Sequence, residues 1–104
     1  GVPVIMAGID ASPAMQSSVS AFVGPDQEAI AAQLAANLIW DNGADAGLNI
    51  ACISGNEPQQ DYILREQGYE KTIGHFSNYT ILATEYAGAS RDKAKEIMES
   101  YIQN

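Results

Sequence analysis

Arg65 is the side chain with the most evident capacity for recognition chemistry. It is one of five basic residues in a chain that carries thirteen acidic ones. A guanidinium offers N–H donors in a planar fork, suited to neighbouring hydroxyls or a carboxylate. Arg65 lies just beyond "ISGN" (53–56), where a buried strand gives way to a helix. Other polar side chains stand at the ends of predicted strands: Asp10, then Asn56 and Glu57, then Glu85 and Tyr86. In open α/β sheets, ligands bind outside the carboxyl ends of strands. Polar groups gathered there suit a small hydroxylated ligand. Spacing alone leaves Arg65 open between a ligand contact and a solvated surface residue.

Catalytic chemistry finds less support. There is one cysteine and one histidine, whereas zinc sites need several such ligands. Cys52 sits in an apolar run and reads as a small buried hydrophobe. His75 follows Gly74 at a helix end, where it suits the negative end of the helix dipole. "AGIDAS" after the first strand is not G-x-G-x-x-G, and no P-loop lysine motif occurs. "ISGN" is not the G-x-S-x-G elbow of a hydrolase. "DNGAD" (41–45) lacks the spacing and closing glutamate of an EF-hand loop. The sequence therefore predicts no enzyme, no metal and no cofactor. A formal charge of −8 argues against nucleic acid and anionic membrane surfaces as partners. No run of eighteen apolar residues exists to span a membrane.

The elements that would position these residues follow from periodicity and punctuation. "VPVIMAGI" (2–9) is a continuous apolar run, as in a strand covered on both faces. "DASPAMQSS" (10–18) is a polar connection, and "VSAFV" (19–23) a second short strand. Asp26 caps a helix that runs to about Trp40. Its apolar face is expected to be Ile30, Leu34 and Leu38, with Ala31 and Ala35 beside them. Gly43 ends it. "LNIACIS" (48–54) is the next strand, and a helix follows from about Pro58 to Ile73, with Tyr62, Glu66, Tyr69 and Ile73 on one face. "YTILATEY" (79–86) is another strand. Ser90 caps a last helix striped by Ala94, Ile97, Met98, Tyr101 and Ile102. Such alternation specifies a three-layer α/β sandwich with a mainly parallel sheet and right-handed crossovers. The chain stops after a helix where another strand is expected, so it reads as a piece of a larger domain.

The segments also resemble, in order, those of type I periplasmic binding proteins, above all the ribose and galactofuranose-like sugar receptors of ABC importers. "GVPVIM" resembles the family's "xIPVV" strand, and "SAFVGPDQEAIAAQLAANLI" its strand-Asp-helix segment. "NIACISGN" resembles a later strand, "REQGY" the R-x-x-G-[FY] signature, and "SRDKAKEIMESYIQ" a later helix. The likeness covers nearly the whole chain. It implies that residues 1–10 end the amino-terminal lobe, 11–21 form a hinge connection, and 22–104 build part of the carboxyl-terminal lobe. It further implies a sugar ligand held between two lobes, with Arg65 on the sugar and Gly68 and Tyr69 as packing residues. Asp10 corresponds to the acid after the first strand. Asn56, Glu57 and Tyr86 complete the expected ligand set. An ABC permease would be the partner, in a periplasmic or extracytoplasmic setting. One departure stands out: many sugar-binding members carry an aromatic where this chain has Ala89. The same resemblance extends to the effector domain of lac-repressor-type regulators and to periplasmic sensor domains, which remain as alternatives.

Overall fold

The computed structural model describes residues 1–9, 11–57 and 59–103. Strands β1 (Ile5–Ala7) and β2 (Ala21–Val23) flank a 3-10 turn at Gln16–Ser18. There follow α1 (Gln27–Asn42), β3 (Asn49–Ser54), α2 (Gln60–Ile73), β4 (Thr80–Tyr86) and α3 (Arg91–Gln103). The order is the predicted one. Asp10 and Pro58, read above as a site residue and a helix start, lie outside the described residues.

The strands pair in parallel, β1 with β2 and β3 with β4, as two separate two-stranded sheets. Parallel partners need a crossover, and α2 supplies it between β3 and β4. Successive strand residues face opposite sides of a sheet, and this fixes the layers. Thr84 and Tyr86 both reach α2, through the Tyr69 hydroxyl at 3.0 Å and the Glu66 carboxylate at 3.1 Å. Glu85, between them, accepts from the Tyr101 hydroxyl of α3 at 2.8 Å. Helices α2 and α3 therefore cover opposite faces. Helix α1 packs beside α2, which completes the three-layer α/β arrangement.

The helix ends follow their local chemistry. The Asp26 carboxylate accepts from the Ala29 N–H at 3.0 Å, and the Ser90 hydroxyl accepts from the Lys93 N–H at 3.2 Å. Each takes up a backbone donor that the first helical turn leaves unpaired. Gly43 closes α1 with φ 91°, in the left-handed half of backbone space where a Cβ is penalised. The core gathers Ala35 and Ile39 of α1, Ile73 of α2 and Tyr79, with Ile50, Tyr69 and Ile81 packed around them. Tyr79 donates its hydroxyl to the Gly43 carbonyl at 2.6 Å, so its polar end is satisfied where its ring is buried.

Gly68 sets how closely α1 and α2 approach. A Cβ at this position would collide with the Glu28 carbonyl oxygen and lie 3.0 Å from the Ala31 Cβ. The close approach explains a difference from the expected α1 stripe. The buried face is Gln27, Ala31, Ala35 and Ile39, one residue out of step with Ile30, Leu34 and Leu38. Only small side chains fit against Gly68, and Leu34 is 65 % exposed beside that seam. Two further apolar assignments differ. Ile5 and Val23 are exposed, because no helix packs extensively on the β1–β2 pair among the described residues. In α3, Ile97 is buried, but Met98 and Ile102 face outward. The α2 face of Tyr62, Glu66, Tyr69 and Ile73 turns inward as expected.

Candidate functional site

The carboxyl ends of β3 and β4 are stitched together. The Ala87 N–H donates to the Ser54 carbonyl at 2.8 Å, and the Gly88 N–H to the Gly55 carbonyl at 3.0 Å. The ladder thus continues past both strands and holds their loops side by side. The Tyr62 ring packs directly on Gly55, where a Cβ would run into the end of the ring. On the β4 side, Ala87–Ser90 closes through the Ser90 N–H to the Ala87 carbonyl at 3.0 Å. Gly88 and Ala89 have φ 61° and 59°, the pattern of a type I′ turn. Ala89, where relatives are expected to carry an aromatic, is thus a small side chain in a conformation that disfavours any Cβ.

Arg65 stands just behind this edge. Its Nε donates to Gln27 Oε1 at 2.7 Å, across 38 residues of sequence. Its guanidinium carbon lies 5.2 Å from the Tyr62 ring centroid, within cation–π range. One terminal nitrogen, Nη2, is 3.9 Å from the Asp61 carboxylate, a turn earlier on α2. At that separation the pair attracts without a hydrogen bond. The side chain is 43 % exposed while that of Asp61 is 10 % exposed. Gln27, on the opposing helix, is buried. Arg65 is therefore held from behind and open in front.

The other expected residues are placed in different ways. Asn56 and Glu57 are exposed on the β3–α2 loop, with the Asn56 amide donating to Gln59 Oε1 at 3.3 Å. Asn56 Oδ1 also faces the Gly88 backbone, 3.8 Å from where a Cβ would stand. Tyr86 donates its hydroxyl to Glu66 under the sheet. Desolvation, and then this carboxylate, push its phenol above the usual tyrosine range. Glu85 faces α3 and accepts from Tyr101, whose phenol that bond raises in turn. The structure brings Asn56, Glu57 and the Arg65 cluster to one edge, and turns Tyr86 and Glu85 to the two helical layers.

Sequence reading missed Gln27, Asp61 and Tyr62 as parts of the site. The Asp61–Arg65 spacing of four was a legible signal, since such pairs meet on a helix. Nothing local foretold Gln27, which reaches Arg65 only because Gly68 lets the helices touch.

A cavity of about 440 Å³ lies between α1, α2 and β3. Leu34, Leu38, Ile50 and Ile53 form much of its wall, a lining suited to apolar packing rather than to a hydroxylated ligand. Ser54, Gly55, Tyr62 and Arg65 also line it, on the side toward the polar edge. Among the described residues, no group of three or more His, Cys, Asp or Glu is placed to hold a metal. No helix among them is long and apolar enough to cross a membrane.

No curated protein sequence matches the chain. Solved structures do. A galactofuranose binding protein aligns with a TM-score of 0.84 at 22% identity, covering 98% of this chain and 34% of that one. A glucose-galactose binding protein from Geobacillus stearothermophilus aligns at 0.85 and 24% identity, covering 98% and 35%. The fructose-binding periplasmic domain of a hybrid two-component system aligns at 0.84 and 22% identity, covering 99% and 33%. The chain thus spans about a third of the length of these proteins and shares their fold. The family described as "Periplasmic binding protein domain", one of binding proteins and not enzymes, matches residues 1–104. The chain belongs to that family and has the fold of part of a type I lobe.

Proposed function

We propose that the chain is a ligand-contacting piece of an extracytoplasmic sugar receptor that serves an ABC importer. Residues 1–10 end the amino-terminal lobe, 11–21 cross the hinge, and 22–104 build part of the carboxyl-terminal lobe. The sugar sits between the lobes and is captured by their closure, without covalent chemistry. Arg65, Asn56 and Glu57 meet it from the strand edge described above. Asp10 approaches from the other lobe, and Tyr86 joins when its hydroxyl exchanges Glu66 for the sugar.

The observation that carries this reading is the state of Arg65. Its Nε is engaged by Gln27, while its terminal nitrogens make no hydrogen bond among the described residues. A charged, planar donor pair left open at a strand edge suits two adjacent sugar hydroxyls. Calorimetric titration of the full-length protein with D-ribose, D-galactose, D-fructose and L-arabinose tests it. Micromolar or tighter binding of at least one is expected, and silence across pentoses and hexoses would refute the sugar reading.

A second reading is a sugar-sensing domain of a signalling protein. The match to the periplasmic domain of a hybrid two-component system favours it. The two readings share the site and differ in the segments joined to the lobes. A transmembrane segment and kinase downstream would decide for the sensor.

A further inference from the structure

We infer that Gln27 is a positioning residue for Arg65, fixing the plane in which the guanidinium meets a hydroxylated ligand. This inference rests on the reading of Arg65 as a ligand contact. Gln27 occupies the first position of α1, immediately after the cap residue Asp26. A glutamine there is ordinarily a solvated surface residue, yet this one is 8 % exposed. Burying an amide costs free energy unless its polar atoms are paired. Its Oε1 is paired with Arg65 Nε at 2.7 Å, a short bond with a charged donor.

The geometry defines an orientation. An arginine side chain has several rotatable bonds and loses entropy when held in one arrangement. The Nε bond to Gln27 fixes one edge of the guanidinium. Its central carbon lies over the Tyr62 ring, 5.2 Å from the ring centroid. The Asp61 carboxylate, 3.9 Å from Nη2, attracts one corner without saturating it. Contacts at Nε, at the central carbon and at one corner restrict the orientation of the guanidinium, and the two terminal nitrogens make no hydrogen bond among the described residues. Tyr62 is itself seated on Gly55, at the end of β3. The fork is thereby referenced both to the sheet edge and to α1. A ligand that meets a pre-oriented fork avoids the cost of ordering it.

The test uses the full-length protein and the tightest binder among D-ribose, D-galactose, D-fructose and L-arabinose. Gln27→Met keeps the shape and removes the acceptor. It is expected to weaken binding about 10-fold, the scale of one charge-assisted hydrogen bond. Gln27→Glu restores an acceptor oxygen and should stay within about 3-fold of wild type. In an Arg65→Ala background, Gln27→Met should change affinity less than about 2-fold, because its effect passes through the arginine. Should Gln27→Met fail to fold, Gln27→Asn, which withdraws the acceptor by one methylene, carries the same expectation. Loss on Arg65→Ala with no loss on Gln27→Met would overturn this inference alone. Equal losses from Gln27→Met with and without Arg65 would also overturn it, by assigning Gln27 a purely structural role. If Arg65→Ala leaves binding unchanged, or no sugar binds, the reading of the site falls and this inference with it.

Discussion

Replacing Gly68 with alanine should destabilise the full-length protein, although alanine is the better helix former. Two effects oppose each other. In a helix interior, alanine is favoured over glycine by about 1 kcal/mol. Against this, the added methyl would overlap the Glu28 carbonyl oxygen and press on Ala31 Cβ at 3.0 Å and Ala32 N at 3.1 Å. Two of these three contacts are α1 backbone, which cannot rotate aside as a flexible side chain would. Relief requires moving α1 off α2, along the seam that includes Ala31, Ala35 and Ile39. Overpacking of this kind costs about 1–3 kcal/mol, and a rigid obstacle places it at the upper end. The net expectation is a loss of about 1–2 kcal/mol. The displacement would also draw Gln27 from Arg65, so ligand affinity should fall with stability. Urea unfolding read by circular dichroism measures the first effect, and calorimetry the second. A Gly68→Ala protein as stable as wild type, or more so, would show that helix propensity prevails over packing at this seam.

Ala89→Gly should stabilise the protein by about 0.5–1 kcal/mol, since it relieves a left-handed alanine at φ 59° that costs roughly 1–2 kcal/mol, less the greater freedom of glycine when unfolded; an unchanged or lower urea midpoint would count against the turn geometry. Stability should also decline above about pH 10, the ordinary tyrosine value. Desolvation chiefly raises the Tyr69 phenol above that range, partly opposed by its hydrogen bond to Thr84. The folded state therefore holds this proton more tightly than the unfolded state does. Its contribution is complete below pH 10 and is lost as pH rises toward the folded value. Tyr86 and Tyr101 shift in the same direction. Tyr69→Phe should flatten the fall in urea midpoint between pH 9 and 11, and an identical slope in the variant would contradict the assignment.

How much could be read from the sequence depended on the range of the interactions. Caps and stops are local, and Asp26, Gly43 and Ser90 act where a reader of dipeptides and tripeptides expects them. The inward face of α2 was legible because Tyr62, Glu66, Tyr69 and Ile73 repeat at helical spacing. The α1 face was misjudged for a physical reason. Hydrophobicity alone favours leucine over alanine at a seam, but the seam width is set by Gly68, on another element. Strand β1 looked doubly covered because an apolar run records that a surface is destined for burial without naming what buries it. Arg65 was singled out through a sequence signature, while its partner Gln27 is invisible without the α1–α2 contact. Tyr86 was placed at the edge by its position in the chain. Strand alternation then turns its hydroxyl toward Glu66.

If Arg65 grips a sugar from the carboxyl edge of this lobe, its removal must weaken binding. Calorimetry of the full-length protein and its Arg65→Ala variant, with the best-bound of the four sugars, tests it most directly. Loss of hydrogen bonds from a charged donor should cost at least about 2 kcal/mol, close to a 30-fold rise in Kd. An Arg65→Ala protein that binds the sugar with wild-type affinity would exclude Arg65 from the binding site.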